Sequence, residues 1–266
     1  LIPNSAAWWL ANVSDRYFLL VLCGSGITGI YAAATKVPAI INVLSTIFQQ
    51  AWQISSVDEY KSTDKNKYYS IVFNIYSSFL FIGCSGVILF TPIISKFLLA
   101  KEFYIGWVYT PILVLAALFS SFSYFFGTFY TVVKKNSMVM TTTILGAGVN
   151  IILNIIFIKP FGAYGAALTT LVSYFLVFII RYIDTKKFVK IDLNIMDFVI
   201  STLFLFIQST TYIIFEFNFI SLLINFLCSS ILLLLNSRLK IMYSMVRKLI
   251  TTMPVDKTKL LSKKTR

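Results

Sequence analysis

The chain has 266 residues, of which 58% are apolar and 12% charged, with a mean hydropathy of +0.82. An ordinary soluble domain is about a quarter charged, so this composition excludes a water-covered globule, a DNA-binding domain and a disordered tail. The net charge of +13 comes from 23 basic and 10 acidic residues, and the absence of His removes imidazole from any acid-base or metal-ligand role.

Apolar runs of about twenty residues recur, each long enough to cross roughly 30 Å of hydrocarbon at about 1.5 Å per residue. Eight spans can be drawn, at roughly 3–22, 30–56, 68–91, 107–133, 138–158, 163–182, 195–214 and 217–237. The predicted fold class is therefore all-α, a polytopic integral membrane protein with about eight transmembrane helices.

The chain starts at Leu1, almost inside the first span. No basic region precedes that span, so it is not a signal peptide; the expectation is a fragment, or the C-terminal half of a longer protein. Asp15 and Arg16 sit within the span, where an unpaired charge is costly. Neighbouring helical positions point about 100° apart, so the two do not face each other, whereas Asn12 and Arg16 share a face. Asp15 is expected to pair with another helix, with Lys36 as one candidate. Arg16 has two readings: positive charge offered to an anionic substrate in a central cavity, or half of an ion pair that locks two helices. Trp8 and Trp9 lie deep enough to stack on sugar, with packing as the plainer role.

The second span carries Lys36, Pro38, Asn42, Gln49, Gln50 and Gln53. A span this polar should face other helices or a wet cavity rather than lipid. Pro38 should bend it or restart it after an irregular turn. Lys36 either snorkels to the outer interface or lines the cavity beside Arg16. Gln49 and Gln53 share a face and suit either sugar hydroxyls or one another. Trp52 and Trp107 fall near span ends, where interface anchoring or packing is expected.

Farther along, Gly146, Gly148 and Asn150 lie in the fifth span, and Gly162, Gly165, Ala166 and Ala167 open the sixth. Small residues let backbones approach where lipid supplies no hydrophobic drive between helices. Asn150 and Asn154 share one face and read as interhelical glue. Gly162-Ala-Tyr-Gly165 follows no β-strand and precedes no Lys-Ser/Thr, so it is not a nucleotide loop. Cys23, Cys84 and Cys228 are scattered through apolar runs and read as packing residues, with no metal centre expected. After the last span, residues 238–250 form an amphipathic stretch with Leu239, Met242, Val246, Leu249 and Ile250 on one broad face. It suits an interfacial helix or a continuation of the last span, followed by a Lys-rich end.

Charge placement tests the eight spans independently. One set of alternate connections holds Lys61, Lys65 and Lys67, then Lys134 and Lys135, then Arg181, Lys186, Lys187 and Lys190, and then nine basic residues of the tail. The opposite side holds Lys96, Lys101 and Lys159 only. Eighteen against three is a strong positive-inside signal and makes the tail side cytoplasmic. No paired carboxylates or activated nucleophile suggests catalysis; Glu102 and Glu216 lie in outer connections. The expectation is a protein that is not an enzyme.

The segment Pro3…Trp8-Trp9…Asp15-Arg16, the run Gly29-Ile-Tyr-Ala-Ala33, and Gln49-Gln-Ala-Trp52 carry a resemblance. So do Gly146…Asn150…Asn154 and Phe161-Gly-Ala-Tyr-Gly-Ala-Ala-Leu-Thr169. Together they resemble the C-terminal half of the polysaccharide and O-antigen flippases. Those flippases belong to the multidrug/oligosaccharidyl-lipid/polysaccharide exporter superfamily. The resemblance covers roughly residues 1–182; the last two spans fit the fourteen-span members more loosely.

The resemblance implies that residues 1–182 form the second six-helix lobe of a two-lobe transporter. Residues 195–237 would add two helices, and residues 238–266 a basic cytoplasmic tail. A partner N-terminal lobe would flank a central cavity. The implied activity is movement of an undecaprenyl-pyrophosphate-linked oligosaccharide from the inner to the outer leaflet of the bacterial cytoplasmic membrane, with a glycan polymerase and anionic lipids as further partners. Arg16, Lys36, Asn12, Gln49, Gln53 and Trp8 are the implied substrate-binding residues. Asp15 serves coupling or helix pairing. No cofactor is implied beyond proton or sodium coupling. The competing readings are a cation-coupled drug or small-solute exporter of the same superfamily, and a non-transporting scaffold for glycan assembly.

Overall fold

The computed structural model describes residues 2–236 and, from Val13 onward, their side chains. Nine α-helices are present among the described residues: α1 (Ile2–Cys23), α2 (Ser25–Ala34), α3 (Ala39–Glu59), α4 (Lys65–Leu89), α5 (Thr91–Leu98), α6 (Thr110–Val132), α7 (Asn136–Thr185), α8 (Ile195–Phe215) and α9 (Phe219–Asn236). A 3₁₀ segment, Lys101–Tyr109, leads into α6. No strand occurs among the described residues. The amphipathic stretch at 238–250 and the Lys-rich end lie outside them.

The breaks between elements follow from local chemistry. Gly24 separates α1 from α2 at a φ of 87°, which glycine adopts without steric penalty. Pro38 has no N–H to continue the ladder of α2. It restarts the chain as α3, and α2 and α3 meet at a bend of 45°. The second span is thus a broken helix, as the proline suggests, and it begins earlier than drawn, at Ser25. The fifth and sixth spans are two arms of α7, reversing at Gly162 with φ 55° and ψ −131°. The arms lie antiparallel: Asn154 on one bonds Thr169 on the other, and Gly146 packs against Val177. By length and composition five helices can cross a membrane, or six when the bent pair is one span. That count takes α7 once, although its 50 residues pass up and back, and it leaves out α1.

The helix α6 forms the centre. Nearly every residue from Thr110 to Tyr130 is buried, with α3, α4, α7 and α8 packed around it. An all-round apolar helix needs such a position. Phe122, Phe125, Phe126 and Phe129 recur at helical spacing and meet Trp52, Phe73 and Phe178 edge-on, stacked or tilted. Such ring pairs contribute about 0.5–1.5 kcal/mol each beyond area burial, useful where apolar surface meets lipid as readily as protein. Trp52 belongs to this core: it is 2% exposed, and its indole N–H donates to the Phe125 carbonyl at 3.4 Å. Between its two expected roles the structure selects packing. Trp107 is buried too, edge-on to Tyr212.

Arg181 departs from its expected place in a cytoplasmic connection. It lies in the second arm of α7 at 1% exposure. Its guanidinium donates to Thr142 Oγ1, Ser123 O and Oγ, Val139 O and Thr143 Oγ1, at 3.0–3.3 Å. Gly127 makes room: a Cβ there would stand 2.7 Å from Nη1. A buried cation is tolerated when all its donors are satisfied, and the planar fork of Arg reaches several carbonyl and hydroxyl oxygens at once. The charge asymmetry of the connections survives its removal from the count.

The connection from α7 to α8 is extended and strapped to α4. Asn66 Oδ1 accepts from Lys190 N at 3.1 Å, Ser70 Oγ accepts from Asp192 N at 2.8 Å, and Asn74 Nδ2 donates to Asp192 O at 3.4 Å. Asn66, Ser70 and Asn74 recur every four residues, so one face of α4 supplies the polar partners that an extended backbone requires.

Candidate functional site

A cavity of about 350 Å³ opens where α1, the α2–α3 break, α6 and the second arm of α7 meet. Asp15 and Arg16 enter from α1, Tyr31 and Thr35 from α2, and Pro38 and Asn42 from the restart into α3. Small residues of α6, Ala116, Ala117 and Ser120, form part of its wall, with Thr170 and Tyr174 from α7. The bend at Pro38 creates this space, because a continuous helix would carry α3 along the axis of α2.

Asp15 is 4% exposed and fully engaged. Oδ1 accepts from Asn154 Nδ2 at 2.7 Å. Oδ2 accepts from Thr170 Oγ1 at 2.5 Å and from Tyr31 OH at 3.3 Å. Behind it, Asn150 Oδ1 accepts from Ser14 Oγ at 2.8 Å and from Asn154 Nδ2 at 3.1 Å, and Thr169 Oγ1 donates to Asn154 Oδ1 at 2.5 Å. Three neutral donors thus offset the desolvation of a carboxylate. The Asp15–Lys36 ion pair considered from the sequence does not form: Lys36 is exposed at the α2–α3 break, and the only ion pair among the described residues joins Lys187 to Asp184. Neutral hydroxyl and amide groups on α2 and α7 reach Asp15 instead.

Arg16 points the other way. It is exposed at the cavity edge and donates to Thr35 Oγ1 at 3.4 Å. A buried acceptor-rich network and an accessible guanidinium therefore adjoin on consecutive residues, separated by the angular step between neighbouring helical positions.

From Asn42 a polar stripe continues down α3. Asn42, Thr46, Gln49 and Gln53 recur at helical spacing, spanning roughly 16 Å at about 1.5 Å per residue. Asn42, Thr46 and Gln53 are exposed, and Gln49 is partly buried with an unpartnered Nε2. The structure thus brings Arg16, Asp15 and Asn42 to one cavity and aligns Gln49 and Gln53 below it. Lys36 is not among the residues lining that cavity. The side chains of Trp8 and Asn12 lie outside the described residues.

Sequence reasoning missed Tyr31 and Thr170 as partners of Asp15, and Thr169 as a partner of Asn154. The available signals were faint: hydroxyl-bearing residues among alanines and glycines at the start of two spans. Among the described residues no cluster of three or more His, Cys, Asp or Glu could hold a metal ion.

No protein family and no curated protein matches the chain by sequence. Solved structures do match. Lipid II flippase MurJ in an inward closed conformation superposes with a TM-score of 0.58 at 17% identity, covering 89% of this chain and 52% of that one. An outward-facing multidrug resistance MATE family transporter of the MOP superfamily gives 0.53 at 19% identity, covering 80% and 52%. A MOP superfamily transporter from Pyrococcus furiosus gives 0.52 at 19% identity, covering 78% and 49%. The chain spans about half the length of each. Its fold is accordingly an all-α membrane lobe, shared with about half of each of these chains.

Proposed function

We propose that the chain is the second lobe of a two-lobe flippase. It would carry an undecaprenyl-pyrophosphate-linked oligosaccharide, an O-antigen or capsule repeat unit, from the inner to the outer leaflet. The observation that carries this reading is the cavity in which the exposed Arg16 guanidinium adjoins a continuous polar stripe on α3. Arg16 neutralises the pyrophosphate, and guanidinium suits phosphate oxygens through its paired N–H groups. Asn42, Gln49 and Gln53 meet sugar hydroxyls, while the prenyl chain stays in lipid. A stripe of amides in a membrane span belongs beside water or another lobe, which fits a transport path between two lobes that rock about it. One structural neighbour is a lipid II flippase, which favours the same substrate class.

Asp15 is the coupling residue in this reading. It is the only carboxylate buried among the described residues, and the oxygens of Asp15 and Asn150 suit a proton or a hard monovalent cation such as sodium. The same residue favours a second reading, a cation-coupled exporter of drugs or small solutes, in line with the MATE neighbours.

The test is leaflet transfer in proteoliposomes holding the chain together with its partner lobe. Arg16→Ala should lower transfer of an undecaprenyl-pyrophosphate oligosaccharide at least tenfold with membrane abundance unchanged. Undiminished transfer removes Arg16 from the anion site. Asp15→Asn should keep substrate binding and abolish the response to an imposed proton or sodium gradient. Gradient-driven efflux of a cationic drug, with no glycolipid transfer, decides for the exporter.

A further inference from the structure

A second cavity, about 530 Å³, lies between the second arm of α7 and α8, with Phe119 of α6 in its lining. The fold builds it. The strap of residues 190–192 on α4 carries the chain away from α7, so α8 packs on α4, α6 and α9. The gap left between α7 and α8 is floored by Phe119 and Phe178, at 1% and 2% exposure. Its rims, Val172 and Phe175 on α7 and Val199 and Leu203 on α8, are exposed and apolar. Water gains no hydrogen bonds in such a lining, and empty space forfeits dispersion contacts. A groove that opens sideways from a membrane helix bundle takes in hydrocarbon.

Length and charge identify the occupant. On α8 the lining runs from Ile195 to Phe206, roughly 16 Å at about 1.5 Å per residue. That equals one leaflet, roughly 15 Å of a hydrocarbon core about 30 Å thick. At the strap end, Tyr182 closes the groove, and Lys186 Nζ sits 4.3 Å from the centre of its ring. Lys186 is exposed and has no ion pair among the described residues, and exposed Lys190 follows four residues later on the strap. We infer that the α7–α8 groove binds an anionic phospholipid of the bilayer leaflet at this end, with one acyl chain against Phe119 and the headgroup phosphate at Lys186. The lipid acts as a wedge that keeps α8 at a fixed distance from α7. The site is separate from the Asp15–Arg16 cavity and does not rest on the flippase reading.

Native mass spectrometry of the purified full chain, from nanodiscs of phosphatidylglycerol and phosphatidylcholine in equal parts, tests this. One phosphatidylglycerol per chain should survive detergent release, favoured at least threefold over phosphatidylcholine. Lys186→Gln should erase the preference. Thr202→Phe and Val172→Trp, each filling the groove, should cut retained lipid at least fivefold while the protein stays monodisperse; two positions on different helices guard against a variant that misfolds. Equal retention of both lipids by the unsubstituted chain overturns the proposal, as does full retention by folded groove-filling variants. Adding undecaprenyl phosphate provides the last arm. If it displaces the phospholipid and is retained in preference, the groove holds a prenyl chain and the assignment fails; continued retention of phosphatidylglycerol supports it.

Discussion

Arg181 and Asp15 show how differently two charges can be housed within one bundle. Arg181 satisfies its guanidinium on backbone and hydroxyl oxygens of α6 and α7 and stays 1% exposed. Arg181→Ala leaves several oxygens without donors at the crossing of two buried helices. It should destabilise the protein by about 2–4 kcal/mol, read as a lower midpoint of thermal unfolding in detergent. Gly127→Ala should do so less, by about 1–3 kcal/mol, because its Cβ would crowd the same guanidinium. A wild-type midpoint for Arg181→Ala would show that the clamp is dispensable. The apolar flanks of Arg181, Ile179-Ile180 before and Tyr182-Ile183 after, were the sequence signal for burial; proximity to the lysine-rich connection masked it. Asp15 announces itself more clearly, as an acid deep in an apolar run, but its partners come from residues 16 and 155 positions away. No local pattern reports such contacts.

At the scale of elements, two interruptions create the working geometry. Pro38 bends the second span and opens the cavity at Arg16. Gly162 reverses α7 and brings Asn154 against Thr169, which in turn places Thr170 at Asp15. Gly162 combines φ 55° with ψ −131°, a region in which a Cβ is strained. Gly162→Ala should destabilise the fold by about 1–3 kcal/mol and loosen the α7 hairpin. Hydrogen exchange should show faster exchange across residues 154–170 in the variant; an unchanged profile would mean that the turn tolerates a side chain. Both interruptions were legible in outline, since proline and glycine mark helix breaks in any sequence. The strap on α4 was not: Asn66, Ser70 and Asn74 look like an ordinary polar edge until the extended backbone of residues 190–192 is laid across them.

For the whole molecule, the basic bias in every second connection of the eight spans drawn from the sequence makes orientation testable. Impermeant maleimide should label Glu102→Cys from outside intact cells, and should reach Ser62→Cys and Lys187→Cys only after permeabilisation. Labelling of all three from outside would refute the assigned topology. The neighbours superpose over most of this chain and about half of theirs.

The sequence by itself determined the all-α membrane class and the helix breaks at Pro38 and Gly162, because hydropathy over about twenty residues and the backbone limits of proline and glycine are local properties. It also singled out Asp15, Arg16 and the glutamines, since polar groups in an apolar run stand out against their neighbours. Only the tertiary structure decided which of them meet. It gave Asp15 to Tyr31, Asn154 and Thr170 rather than to Lys36, withdrew Arg181 and Trp52 into the core, and left an apolar groove between α7 and α8. These outcomes depend on how bent helices cross, and crossing is settled by packing between residues far apart in the chain.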